Sequence, residues 1–242
     1  MLSVPEKRQK GRVHMIVIKN KSVRSALKIL LPFVVIPVLV ILSATIFKGK
    51  QYLFISALIA FCSLLLFASG FEKKKTGSRR LVLVSAMTAL CIVGRFIPFF
   101  KPITALTIIT AIYIGPESGF LVGALSALLS NFYFGQGPWT AFQMLAWGMI
   151  GLVSGYLSAP LKKSRILLLV FGALSGILFS LIMDLWSVMW YAGEINLDLY
   201  KAGLITALPH TALYTVSNLV FLWFLAKPFG EKLERVKIKY GV

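Results

Sequence analysis

Arg95, Asp184, His210, Tyr214 and Asn218 put ionisable or hydrogen-bonding groups where the surrounding sequence is almost entirely apolar. Tyr214 and Asn218 follow His210 at i+4 and i+8, so on a helix the three share a face. A second group surrounds "NFYFGQGPWTAFQ", positions 131–143, inside a long uncharged stretch. There Gly135, Gly137 and Pro138 break a helix, while Asn131, Tyr133, Gln136, Trp139, Gln143 and Trp147 bring amide and aromatic groups to both sides of one turn. Groups of these types can hold a small polar or aromatic ligand. Asp184 and His210 could also serve a hydrolase, but no convincing nucleophile completes the set. Walker A, H-E-x-x-H and G-x-S-x-G sequences are absent, and no two acids are spaced for a metal site. "GQGPW" lacks the lysine of a phosphate loop. The expectation is a binding and transport protein, not an enzyme, with no metal and no covalently bound cofactor. Cys62 and Cys91 lie in apolar runs without ligand spacing and read as small packing residues.

The elements that must position these groups are membrane helices. Of 242 residues 58% are hydrophobic and 14% charged, against about 45–50% and about 25% in soluble domains. A helix spanning the bilayer core needs about 20 apolar residues. That ruler gives eight helices: Ile29 to Phe47, Gln51 to Phe71, Leu81 to Phe100, Ile103 to Gly115, Ser118 to Phe134, Thr140 to Leu161, Ile166 to Tyr191 and Ala202 to Ala226. The fourth is short for a full span. The first follows a basic stretch like that of a signal peptide, but its apolar run lacks an A-x-A exit and is expected to be retained.

Loop charge tests the count. With both termini in the cytoplasm, 21 of the 26 Lys and Arg residues fall on the cytoplasmic side, leaving Lys48, Lys50, Arg95, Lys101 and Lys201 outside. This alternation is the positive-inside rule. The net charge of +18 therefore reads as topology, and no nucleic-acid partner is expected.

Charge also divides the chain. Residues 1–70 hold a basic segment and a two-helix hairpin, 71–80 form a charged cytoplasmic linker, and 81–242 form six helices that carry the candidate groups and all five tryptophans. On this topology the 134–139 box is an outside turn. Arg95 lies near the outer end of the third helix, just before "FIPFFKP". Asp184 lies about 10 Å below the outer end of the seventh, and His210 is about as deep on the eighth. Two readings stay open for Arg95 and Asp184, an ion pair with each other or contacts to a ligand. Trp139 reads either as an interfacial anchor or as a ligand contact. Asn131 and Gln143 favour a site, because amides near lipid are costly unless they meet protein, water or ligand.

The run "RFIPFFKP" followed by "GPESGFLVGALSALLSNFYFGQGPWTAFQMLAWGMIGLVSGYLS" resembles the substrate-binding S components of energy-coupling factor (ECF) vitamin transporters, most closely the group that includes cobalamin-specific members. The resemblance covers residues 81–242. It implies a multi-pass protein of the prokaryotic plasma membrane that binds a vitamin from outside. It also implies partners: a transmembrane T component and two cytoplasmic ATPase subunits that use the ATP. In that family small residues four apart on the first core helix face the T component, and "LVSAMTAL" offers Ser85 and Ala89. Gly119, Gly123, Gly151 and Gly155 read as packing glycines. S components share a fold while differing in their pockets, so the resemblance does not name the ligand. The N-terminal hairpin departs from the six-helix pattern. A self-contained permease or channel is the alternative, and it should show internal repeats; no duplicated pattern stands out. A purely structural membrane protein is a further rival.

Overall fold

Asn20 starts the first helix by accepting hydrogen bonds from the backbone of Ser22 and Val23 on its side-chain oxygen, which satisfies two otherwise orphaned donors. The computed structural model describes residues 18–45, 52–70, 74–192 and 196–241. Within them the order is α1 (Lys21–Leu30), a π-helical turn (Leu31–Val35), α2 (Ile36–Thr45), α3 (Tyr52–Ser69), α4 (Lys74–Gly94), α5 (Ile103–Ile114), α6 (Pro116–Phe134), α7 (Trp139–Tyr156), α8 (Ser158–Lys163), α9 (Arg165–Ala192) and α10 (Leu197–Tyr240). No strand occurs among the described residues. The π turn coincides with Pro32, which has no N–H to return to Lys28. Residues 1–17, the Lys48 and Lys50 loop, part of the linker and the centre of the 191–201 turn lie outside the described residues.

The protein is an all-α integral membrane protein. Five helical segments, 21–44, 52–69, 77–94, 165–192 and 197–240, are long and apolar enough to cross a membrane. α5 has 12 residues, about 18 Å at 1.5 Å each, short of a core about 30 Å thick. It need not span, because it is the central pillar: every residue but Tyr113 is buried, and α4, α6, α7, α9 and α10 all pack on it. A helix apolar on all sides belongs in such a place. α6 and α7 make the most extensive helix pairing among the described residues. Gly119, Gly123, Gly151 and Gly155 lie in this packing: a Cβ on Gly151 would fall on the Gly119 carbonyl, and one on Gly155 on the Pro116 backbone.

The sequence boundaries need three corrections. Residues 74–80 of the expected linker form the first turns of α4. The sixth helix stops at Tyr156, and the short α8 carries Lys162 and Lys163. The eighth does not end near Ala226 but continues to Tyr240. That extension is amphipathic: Leu233 is buried, Gly230 lies against Tyr113, and Lys237 donates to the Tyr113 carbonyl at 3.3 Å. Hydropathy alone misses it because charged residues interleave with its apolar ones.

The hairpin is not a detached anchor. α3 packs on α6 and α7, and α2 packs on α7 and α9. Three of its serines are spent within their own helices, Ser43 donating to the Val40 carbonyl, Ser63 to that of Ile59 and Ser69 to that of Leu66. Cys62 and Cys91 are buried free thiols, in keeping with packing roles. Lys28 reaches Glu117, at the start of α6, with 2.6 Å between Nζ and Oε1.

Candidate functional site

At the bundle end opposite Glu117, the segment 95–102 folds into a tight loop between α4 and α5. Pro98 and Pro102 end regular structure, Phe99 takes a positive φ of 62°, and the Phe100 N–H donates to the Pro98 carbonyl at 2.6 Å. Ser217 of α10 accepts from the Lys101 N–H at 2.8 Å and donates to its carbonyl at 3.1 Å, which fixes the loop to the bundle. Burial, then the neighbouring Arg95 charge, lower the Lys101 ammonium below its usual range.

Arg95 is the first residue after α4, not part of it. Its Nη1 donates to Ser130 Oγ and, at 2.8 Å, to Asn131 Oδ1. The guanidinium carbon lies 4.7 Å from the Phe134 ring centroid and 5.7 Å from that of Trp147. Arg95 therefore pairs with α6 and makes no salt bridge with Asp184. Asn131, 1% exposed, passes the network on: its Nδ2 donates to Thr140 Oγ1 at 2.9 Å and to Gln143 Oε1 at 2.8 Å. Its amide is then fully used, and Gln143, half-buried, keeps its Nε2 for another partner.

Gln136 has a different task from the one its sequence position suggests. Its Nε2 donates to the Leu128 carbonyl at 2.8 Å, and its Oε1 accepts from Thr140 Oγ1 at 3.0 Å. Both ends of the amide close the turn, so Gln136 shapes the box, with one N–H of Nε2 left over. Gly135 supplies the φ of 103° that this turn needs. The Trp139 ring covers Gly137 and meets Trp186 of α9 edge-on, with centroids 5.7 Å apart.

An aromatic column runs beside this network. Trp147, 1% exposed, donates from Nε1 to Thr104 Oγ1 at 3.1 Å and stacks on Phe179 at 4.5 Å. Phe179 stacks on Tyr214 at 5.2 Å, and Tyr214 meets His210 edge-on at 4.8 Å. Asp184 lies beside His210 and Ser180, and Arg95 is within electrostatic reach of Tyr214. Asn218 sits further along α10, where its Nδ2 donates to the Gly172 carbonyl at 3.0 Å and joins α9 to α10.

Most of the sequence candidates therefore meet at one end. Arg95, Asn131 and Gln143 form a polar arm; Trp139 and Trp186 form one aromatic contact; Trp147 and Tyr214 flank Phe179, His210 lies beyond Tyr214, and Asp184 is within electrostatic reach of His210. Sequence reasoning missed Phe179, Thr104, Ser130 and Thr140. Thr140 had a signal, a hydroxyl in the first turn of a helix, where it can accept from a loop N–H; Phe179 had none among many apolar neighbours. Three atoms here are buried without a hydrogen-bond partner: Arg95 Nε, Asp184 Oδ2 and Trp186 Nε1. Leaving such a group unpaired costs about 1–3 kcal/mol. Donors, a carboxylate and flat aromatic faces together can take a planar ligand with polar edges. Among the described residues no three His, Cys, Asp or Glu side chains are grouped to hold a metal.

A polytopic helical bundle with a polar, aromatic cluster near one end defines a membrane transport protein. A family model described as ECF-type riboflavin transporter, S component, matches residues 75–227. The chain belongs to that family: it is a membrane-embedded S component for vitamin uptake and not an enzyme. No curated protein and no solved structure matches the chain. The match is to the riboflavin-type family and does not support the cobalamin-type grouping suggested by the box. It starts at α4 and stops in α10, leaving the hairpin outside.

Proposed function

We propose that the chain captures a riboflavin-like vitamin, a planar heteroaromatic with polar edges, at the Arg95 end. The observation that carries this reading is the set of three unpaired buried atoms, Arg95 Nε, Asp184 Oδ2 and Trp186 Nε1, beside an aromatic column. Flat rings suit the aromatic faces, and ring carbonyls and N–H groups suit the unpaired donors and acceptor. The charge alternation along the sequence supports placing this end outside and the Glu117 end in the cytoplasm.

Riboflavin should bind the purified chain in detergent with quenching of its fluorescence, and cobalamin should not compete. Gln143→Ala and Asp184→Asn should each weaken binding by roughly 5- to 150-fold, the equivalent of about 1–3 kcal/mol; the unliganded melting temperature should hold for Asp184→Asn and fall for Gln143→Ala, which strands one Asn131 donor. Cobalamin binding in place of riboflavin would remove the substrate assignment. Unchanged affinity in both variants would remove the site.

Transport needs the partners that the family name implies, a T component and two ATPases. On α4 the small residues Ser85, Ala86 and Ala89 are exposed, while Val84, Met87, Thr88 and Cys91 turn inward. A face of small side chains permits close approach of another helix, and α4 is not covered by the hairpin helices that pack on α6, α7 and α9. Ala89→Phe should leave riboflavin binding by the isolated chain intact and reduce uptake by the assembled complex in vesicles. Loss of both would place this face inside the domain. Uptake by the isolated chain alone would favour a self-contained permease.

A further inference from the structure

A cavity of about 310 Å³ lies at the Glu117 end, between α5, α8, α9 and α10, far from the Arg95 cluster. Its size is at the lower end of small-molecule sites, which run about 300–1,000 Å³. The lining has two characters. Leu161, Leu168 and Leu222 make an apolar floor, all three of them buried. Lys162, Arg165 and Lys227 make a cationic rim, against which Glu231 is the one lining carboxylate.

The rim is partly fixed in place. Arg165 Nη2 donates to the Trp223 carbonyl at 2.8 Å, and its guanidinium carbon lies 3.6 Å from the centroid of the Trp223 ring. Lys162 lies 4.3 Å from the Tyr113 ring and 3.2 Å from Glu234 Oε2. Glu231 is 3.8 Å from Arg235, so a cation outside the cavity shares its charge. Lys227 has no carboxylate partner among the described residues. The excess is positive.

The neighbouring surface decides what kind of anion fits. Trp223 is 49% exposed, Ile166 76% and Phe224 67%. On membrane-spanning helices such surface faces acyl chains. Cations just beyond it, with a tryptophan between, occupy headgroup depth. A free anion would use the cations and leave the leucine floor unfilled, whereas an amphiphile uses both. We propose that this cavity binds the phosphate headgroup of an anionic lipid, with Arg165 and Lys227 on the phosphate and the first part of an acyl chain on the leucine floor. A lipid seated there ties together α5, α8, α9 and α10, the helices of the bundle's basic end.

The test uses the full chain in dodecyl maltoside, with phosphatidylglycerol, phosphatidylcholine or inorganic phosphate added, and native mass spectrometry and melting temperature as readouts. Phosphatidylglycerol should be retained and should raise the melting temperature more than phosphatidylcholine does. Each rim cation near an anionic surface contributes about fivefold in affinity, so Lys227→Gln and Arg165→Gln should each reduce the preference by about that factor. Lys227 makes no hydrogen bond among the described residues, so its variant stays informative if loss of the Arg165 contact to Trp223 harms folding. Lys163→Gln removes the same charge from the same end outside the cavity and should leave the preference intact. An equal effect of Lys163→Gln, or equal retention of both lipids, would overturn the site. Inorganic phosphate displacing the lipid at millimolar concentration would show a free-anion site and overturn the lipid assignment.

Discussion

Glu117→Gln should lower the stability of the whole bundle and loosen the hairpin from the core. Glu117 is 5% exposed, and two cations converge on its carboxylate. Lys28 of the hairpin is 2.6 Å away. Arg80 of α4 adds its charge and donates to the Gly70 carbonyl at 3.5 Å. The carboxyl group also sits against Gly70, where a Cβ would come within 3.1 Å of it. One side chain thus joins α1, the end of α3, α4 and α6. Removing one partner of a buried pair costs about 3–5 kcal/mol, because the other charge stays behind. Lys28 keeps 36% of its side chain exposed and can turn toward water, so the lower end, about 3 kcal/mol, is expected. Lys28→Met should cost less, because Arg80 still offsets the carboxylate. Protease sensitivity at residues 46–51, measured beside the melting temperature, separates hairpin release from general unfolding. Equal stability of Glu117→Gln and the parent chain would mean that the pair is solvated and holds nothing.

Eight helices were expected, and five segments are long and apolar enough to span; these were legible because about 20 apolar residues in a row have few alternatives in a membrane protein. α5 was legible as an apolar run, but its brevity had no explanation until its burial on all sides was seen. What could not be read were contacts fixed by relative helix depth. Arg95 and Asp184 both fell in the outer half of the membrane, which left a pairing open, yet the fold of residues 95–102 turns Arg95 to Ser130 and Asn131. Gln136 looked free because nothing in the sequence shows that its two amide atoms span from Leu128 to Thr140. Lys28 counted only as a topology charge, and Glu117 drew no attention, because their pairing crosses 88 intervening positions and the four helices α2 to α5. Ser85 and Ala89 were picked out by the family resemblance; being four apart, they share one side of the helix, and both are exposed.

Gly123→Ala should be among the most damaging methyl groups that could be added to this chain. A Cβ at Gly123 would fall on the carbonyl of Trp147 and within 2.8 Å of the Gly148 nitrogen. These are backbone atoms of α7, so no side chain can rotate away, and α6 and α7 must separate along their length. Overpacking a tight core costs about 1–3 kcal/mol and occasionally more; with backbone on both sides the upper end is expected. The harm reaches function because Trp147 heads the column through Phe179 to Tyr214, and moving α7 also pulls Gln143 away from Asn131. The melting temperature should fall, and whatever protein remains folded should bind riboflavin weakly. Gly203→Ala is the matched control: that glycine lies within α10 with nothing inside 4 Å of the added carbon. There alanine should be neutral or stabilising by up to about 1 kcal/mol, since glycine is the poorer helix former. If the two variants melted together, α6 and α7 would not approach as closely as their glycines allow, and the route from their packing to the aromatic column would fail with it.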